Sequence, residues 1–180
     1  MRKIGFMGAV LAAAVLALPA AAQPRISVTP YVGYGFYGKL PDGGPELGAD
    51  VSYGGRAAYQ LSPQWALFGN FQRSTPDVNG GADATVDHWS AGVEFSYFPR
   101  QGAEGILPLM LEAGLGQVRY DFPSGTQVND LAANIGVSSA LALSPNLAVR
   151  WGVNDYISSF EGDRGITNQI FAQVGAELSF

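Results

Sequence analysis

Apolar and polar residues alternate with a period of two along most of this chain. In segment 169–180 every second residue is apolar and its neighbours are small or polar, with Phe171 as the exception. Successive side chains of an extended strand point to opposite faces, so this pattern predicts a strand with one apolar face. The pattern predicts eight strands, at 26–37, 49–61, 65–73, 86–98, 106–120, 130–143, 147–156 and 169–180.

The connections between these segments alternate in length. Short turns that include Ser62-Pro63-Gln64 and Ser144-Pro145-Asn146 alternate with longer polar loops. An even number of strands with short turns on one rim and long loops on the other is typical of outer-membrane barrels. The sequence therefore predicts an all-β fold, an eight-stranded antiparallel up-and-down transmembrane β-barrel with both termini on the short-turn rim. The alternation weakens near Gln117 and Val118, which predicts a bulge in the fifth strand.

The two faces of the predicted strands differ in bulk, and this difference indicates which face meets lipid. One face carries large apolar side chains, and the other is rich in Gly, Ser and Ala. An eight-stranded barrel has little room inside, so the bulky face is expected outside. A soluble sandwich or lipocalin-like barrel also alternates and is the alternative. Two aromatic belts are expected at the two membrane interfaces, one of Tyr59, Trp65, Phe95, Tyr97 and Phe180 and one of Tyr34, Phe36, Phe71 and Tyr120.

The N-terminal segment has the order of a secretory signal peptide. Arg2-Lys3 is followed by an apolar run over 4–18, then Pro19 and three alanines. The run is shorter than the ~20 residues of a spanning helix, which argues against a retained anchor. Residues 1–22 are therefore predicted to be cleaved, which leaves residues 23–180 as the barrel.

Composition excludes several classes of protein. The chain has 15 acidic against 10 basic residues and a formal net charge of −5, which argues against a nucleic-acid partner. It has no cysteine, which rules out disulfides and thiolate metal sites. No metal site and no cofactor are expected.

Several features together point to one family: the signal peptide, the Thr29-Pro30-Tyr31-Val32-Gly33 opening, Leu115-Gly116, Ile135-Gly136, the segment 150–156 and the Phe180 ending. With these features the whole predicted barrel resembles the small outer-membrane β-barrel domain family, the OmpA/OmpX-like porin superfamily. The resemblance implies an integral outer-membrane protein with both termini in the periplasm. It also implies that Phe180 is an assembly signal read by the outer-membrane assembly machinery. Function is not implied, because the family includes adhesins, integrity proteins and small pores.

Five charged residues are expected to face the lumen together in its periplasmic half: Arg56, Glu94, Glu112, Arg150 and Glu177. Arg150 and Glu177 are predicted to be cross-strand neighbours at matching height. Buried charges must pair or neutralise, so a structural ion-pair plug is favoured. A gate that opens a narrow conductance is the alternative.

His88 and Ser90 form a His-x-Ser pair that resembles the motif of barrel-type lipid A deacylases. Both are predicted to point into the lumen, away from a lipid substrate, and Ala91 replaces the asparagine expected after the serine. His88 is therefore predicted to be a lumen residue, and no catalytic residue and no enzymatic activity are expected.

The expected role is structural or interactive at the cell surface, with a side-chain-filled lumen. A narrow channel for ions or small solutes is the first alternative and a lipid A-modifying enzyme a distant one. The expected partners are outer-membrane lipids and lipopolysaccharide. For the charged residues toward the loop rim a solvated surface is the favoured interpretation, and contact of Lys39, Arg73, Arg119 and Arg164 with lipopolysaccharide phosphates is the alternative. The barrel is expected to be monomeric.

Overall fold

The computed structural model describes residues 25–37, 40–41, 44–97, 107–159 and 165–180. The predicted signal peptide, Lys39 and Arg164 lie outside these residues. The described chain forms eight strands: β1 (Ile26–Tyr37), β2 (Asp50–Gln60), β3 (Trp65–Ser74), β4 (Thr85–Ser96), β5 (Met110–Asp121), β6 (Gln127–Ser144), β7 (Leu147–Ser159) and β8 (Ile166–Ser179). Among the described residues, no helix is long and apolar enough to cross a membrane.

Each strand pairs antiparallel with its neighbours in the chain, and β8 pairs with β1 to close the barrel. The predicted eight-stranded up-and-down barrel is therefore confirmed. Closure leaves no unpaired strand edge, and the seam continues to the chain end, where the Phe180 amide donates to the carbonyl oxygen of Ile26 at 2.9 Å. The barrel has a turn rim, where β2–β3 and β6–β7 connect, and a loop rim at the opposite end.

The bulky apolar face is on the outside. The large apolar side chains exposed on the barrel include Val32, Val51, Leu115, Leu131 and Val174. Inward positions are buried and many are polar, including Thr29, Gln72 and Asn154. This inversion of the usual soluble pattern follows the alternation in the sequence.

Strand five has no bulge, contrary to the prediction. Its pairing with β4 and with β6 runs without interruption from Met110 to Asp121. Unbroken alternation turns Val118 and Tyr120 into the lumen, where both are fully buried. The assignment of Tyr120 to an outer aromatic belt was therefore wrong. The register shift lies between β6 and β7, at Ala142 and Ser144 near the turn rim.

Several strands have different bounds from those predicted. β6, β7 and β8 extend further toward the loop rim, and β5 begins at Met110 rather than at residue 106. In the added part of β6, the outward residues Gln127 and Asn129 are polar. Backbone pairing continues there without an apolar face, so the alternation that marks the other strands is missing.

We expect a charge at the middle of the outer face to destabilise the barrel far more than one at the loop rim. Leu115 lies mid-strand and is 66% exposed, whereas Ile166 begins β8 at the loop rim. In lipid vesicles, Leu115→Arg should lower the unfolding free energy by about 2–4 kcal/mol and Ile166→Arg by about 0–1 kcal/mol.

Urea titration of both variants refolded in vesicles would measure these costs. In a soluble protein an exposed Leu115 would tolerate arginine with a change of about 0.5 kcal/mol or less. Equal small costs for the two variants would therefore favour the soluble alternative.

Candidate functional site

The lumen contains a cluster of the five predicted charges, which we call the charged layer. Arg56 comes from β2, Glu94 from β4, Glu112 from β5, Arg150 from β7 and Glu177 from β8. All five side chains are buried. Alternation alone aims each of them inward, so the sequence positions them without any loop or special turn.

Two carboxylates form the centre of the charged layer. Glu94 and Glu112 lie directly opposite each other on β4 and β5. Arg150 Nη2 reaches both, at 2.5 Å from Glu94 Oε2 and in hydrogen-bond contact with Glu112 Oε1. Arg56 approaches the same two residues, with Nη2 2.7 Å from Glu94 Oε2 and Nε 3.9 Å from Glu112 Oε1. The two arginines thus screen a pair of like charges that would otherwise repel.

Arg150 has further partners. Its Nη1 lies 3.3 Å from Glu177 Oε2 and 3.4 Å from Met110 Sδ, and its Nη2 lies 2.7 Å from Ser138 Oγ. The prediction that Arg150 and Glu177 lie at matching height was wrong, because Arg150 pairs with Gly175 and Glu177 pairs with Ala148. The two side chains meet diagonally, because both are long enough to span the two-residue offset.

Arg56 is held partly by an aromatic ring. Its guanidinium carbon lies 4.9 Å from the ring centroid of Phe68, an attractive cation–π arrangement. Phe68 interrupts the alternation of strand three because it is a large aromatic residue at an inward position. The sequence therefore contained a signal for this contact, although no role follows from the pattern alone.

A second layer of aromatic and amide groups lies above the charged layer. Tyr31 Oη is 2.8 Å from Asn70 Oδ1, and Asn70 Nδ2 donates to Tyr156 Oη at 2.6 Å. Phe171, the other exception to the alternation, packs in this layer with its ring centroid 5.8 Å from that of Tyr156. The ring fits because Gly35 lies directly opposite it, where a Cβ would overlap the ring.

His88 belongs to this aromatic layer. Its Nε2 is 2.6 Å from Gln169 Oε1, and its ring centroid is 4.5 Å from that of Tyr156. Ser90 also faces inward and is buried. Both residues therefore lie in the lumen, and the hydrogen-bonding partner of His88 Nε2 is an amide rather than the serine.

A third, apolar layer closes the lumen beneath the loop rim. It is a cluster of buried side chains from the three strands β4, β5 and β6, from the residue before β4 and from the segment between β1 and β2: Leu40, Leu47, Ala84, Val86, Val118, Tyr120, Val128 and Ala132. Tyr37, Val78 and Phe122 pack against it. Tyr120 also accepts a hydrogen bond from Gln169 Nε2, which joins the apolar layer to the aromatic one.

The turn rim, in contrast, has an open cavity of about 740 Å³. Small side chains such as Ser27, Ala58 and Ala148 line it, and Glu94 and Glu177 border it. Within the part of the chain that the structure describes, no group of three His, Asp or Glu residues is placed to hold a metal ion. The described lumen is thus a cavity at one end and three layers of packed side chains above it.

Comparisons with known proteins agree with this architecture. No protein-family model matches the chain, and neither does any curated protein. Among solved structures, Neisserial surface protein A is similar at 13% identity over 90% of this chain and all of that one, with a TM-score of 0.63. The N-terminal β-barrel domain of Pseudomonas aeruginosa OprF is similar at 17% identity over 88% of this chain and all of that one, with a TM-score of 0.56.

A third similar structure is Ail, the attachment invasion locus protein of Yersinia pestis, in complex with the heparin analogue sucrose octasulfate. It is 17% identical over 85% of this chain and 99% of that one, with a TM-score of 0.50. At these identities the likeness concerns the fold. The chain has the fold of the small outer-membrane barrels, in agreement with the OmpA/OmpX-like resemblance of its sequence.

We expect Arg150 to be the most important residue of the charged layer for stability. Arg150→Ala leaves Glu94, Glu112 and Glu177 with one arginine among them and should cost about 3–5 kcal/mol. In double-mutant cycles, Arg150 should couple more strongly to Glu94, at 2.5 Å, than to Glu177, at 3.3 Å.

Unfolding free energies of Arg150→Ala, Glu94→Gln, Glu177→Gln and the two double variants, measured in lipid vesicles, supply both cycles. Arg150→Ala with Asp87→Asn, a carboxylate on the outer face, is the matched control and should be additive within about 0.5 kcal/mol. Additivity in all three cycles would mean that the charged layer is not an interacting unit.

Proposed function

We propose that this chain is an integral outer-membrane barrel that acts in envelope structure or in interactions at the cell surface, with a lumen sealed against solutes. The observation that carries this proposal is the filling of the lumen by three successive layers of side chains above the turn-rim cavity. No enzymatic activity is proposed.

The outer face supports the membrane location. Its exposed apolar side chains form a band that a soluble monomer would rarely expose to water. Aromatic rings lie at both ends of the band. Trp65 and Phe95 pack together near the turn rim, with ring centroids 4.9 Å apart, and Phe71 and Trp89 lie 4.2 Å apart toward the loop rim. Amphipathic rings in two such belts match the two interfaces of a bilayer.

The orientation is part of the same proposal, with the turn rim and both ends of residues 23–180 in the periplasm. Short turns on the periplasmic side and longer loops outside are the usual arrangement of these barrels. The loop rim would then face the cell exterior.

Hydrogen bonds hold two segments of the loop rim together, as expected of a surface that binds a partner. The segments before β2 and after β3 are joined by backbone hydrogen bonds from Gly48 to Asp77 and from Asn79 to Glu46. Asn79 Oδ1 also accepts from the Glu46 amide at 3.0 Å. Leu47 lies in the apolar layer below. These contacts fix polar backbone and side chains above a closed lumen, which suits recognition better than conduction.

The alternative function is a narrow channel, and the turn-rim cavity is the observation in its favour. Glu94 and Glu177 border this cavity together with Arg25, so its charged lining would interact with ions that enter it. Passage to the loop rim would still require the charged, aromatic and apolar layers to separate.

We expect the protein to be electrically silent in planar lipid bilayers. Arg150→Ala should be silent as well, because the aromatic and apolar layers above it do not depend on the arginine. Single-channel recording in potassium chloride, with a known porin as the positive control, would measure this. Steady openings of the wild-type protein would favour the channel.

We expect deletion of Phe180 to impair assembly much more than stability. The side chain is 74% exposed and contributes little packing, although its amide bonds to β1. Outer-membrane levels in cells should fall severalfold, while the unfolding free energy of protein refolded in detergent should change by about 0.5 kcal/mol or less.

Phe180→Tyr, which keeps an aromatic ring at the same place, is the matched control and should retain most of the outer-membrane level. A comparable loss of stability in the refolded deletion variant would assign Phe180 a packing role instead.

A further inference from the structure

Charged side chains on the outer face are confined to one end of the barrel. Among the described strands, every outward-facing charged residue lies in the half of its strand that is nearer the loop rim, and these residues are Arg73, Asp87, Arg119, Asp121 and Asp155. Four of them lie on the three adjacent strands β3, β4 and β5. The outer face therefore has one polar sector just above its apolar band.

This sector has a regular geometry. Arg73 lies directly opposite Asp87, and Asp87 lies directly opposite Arg119, which makes a row across three strands. Arg73 holds Asp87 with two hydrogen bonds, from Nε to Oδ1 at 2.6 Å and from Nη2 to Oδ2 at 2.7 Å. Arg119 Nη2 lies 3.0 Å from Asp121 Oδ2. Each arginine is thus oriented by a different carboxylate, Arg73 by Asp87 and Arg119 by Asp121.

The exposed part of the row is cationic. The side chains of Arg73 and Arg119 are 42% and 46% exposed, whereas that of Asp87 is 6% exposed. Asp87 is therefore buried beneath the row, whereas both arginine side chains remain partly exposed, with the 36% exposed carboxylate of Asp121 beside Arg119. A planar guanidinium held in place is well suited to bind phosphate oxygens, because less freedom is lost when each hydrogen bond forms.

An apolar surface lies directly below Arg73 and Asp87, whereas the exposed polar residue Gln117 lies below Arg119. Phe71 and Trp89 form the next outward pair, and the Arg73 guanidinium carbon is 5.9 Å from the Phe71 ring centroid. Leu115 and Leu131 continue this surface toward the middle of the barrel and are well exposed. Arginines above aromatic rings and leucines match a lipid, with an anionic headgroup above and acyl chains below.

We propose that Arg73 and Arg119 form a binding site for the phosphate of an outer-leaflet lipid, whose acyl chains lie on Phe71, Trp89 and Leu115. This inference rests on the proposed outer-membrane location and adds a specific partner and place to it. The lipid, rather than free phosphate, is the occupant, because the arginines border the apolar band on which the chains would pack.

The test uses native mass spectrometry of the protein in detergent micelles with bisphosphorylated lipid A, and with dephosphorylated lipid A for comparison. Arg73→Gln and Arg119→Gln are the test variants. Arg119 makes none of the hydrogen bonds to Asp87, so Arg119→Gln keeps the pair of Arg73 and Asp87 intact. Arg25→Gln, at the turn rim, is the matched control because it removes the same charge from the other end of the barrel.

We expect each test variant to retain about tenfold less bisphosphorylated lipid A, which corresponds to ~1.4 kcal/mol, and Arg25→Gln to retain as much as the wild type. Dephosphorylated lipid A should bind weakly to all of them. Equal retention by the four proteins, or equal binding of the two lipids, would overturn the site. Failure of the wild type to insert into vesicles would instead contradict the proposed location, and this inference with it.

Discussion

The interior of this barrel depends on a repulsion that two arginines offset. Antiparallel pairing of β4 with β5 places Glu94 and Glu112 directly opposite each other inside a narrow lumen. Like charges in such a position destabilise a sheet unless something lies between them. Arg150 reaches them from β7 and Arg56 from β2. Arginines from two other strands therefore offset the repulsion between β4 and β5. The small size of the lumen is what allows side chains from these walls to meet.

The layers above follow from the same confinement. Once the charged layer occupies the lower lumen, the inward residues nearer the loop rim must fill a space of similar width. Phe171 can lie there because Gly35 removes a side chain opposite it. Tyr31, Asn70 and Tyr156 satisfy one another in a short hydrogen-bonded chain. Apolar residues complete the closure near the loops, where Leu40 and Leu47 pack on the inward side chains of the strands.

Much of this architecture was predictable because a period of two is a strong signal when it recurs eight times. The same parity identified Arg56, Glu94, Glu112, Arg150 and Glu177 as inward residues. What failed was register. Alternation says which face a side chain occupies but not which residue lies opposite, so the two-residue offset between Arg150 and Glu177 could not be read from it. Tyr120 was misplaced because a weak stretch of sequence resembled a bulge, although the backbone pairing there is continuous. Phe68 and Phe171 interrupt the alternation. The residues that they contact inside the barrel lie on other strands, so the sequence pattern alone does not identify them.

The charged layer also affects how the barrel forms and comes apart. Its members come from β2, β4, β5, β7 and β8. Glu94 is 38 positions from Arg56 along the chain and 56 positions from Arg150, and it contacts both. Such contacts can form only after most strands have met, so they are expected to be absent from an early folding transition state. Interactions made late slow unfolding without accelerating folding. The charged layer would therefore slow the unfolding of a completed barrel and leave its rate of insertion unchanged.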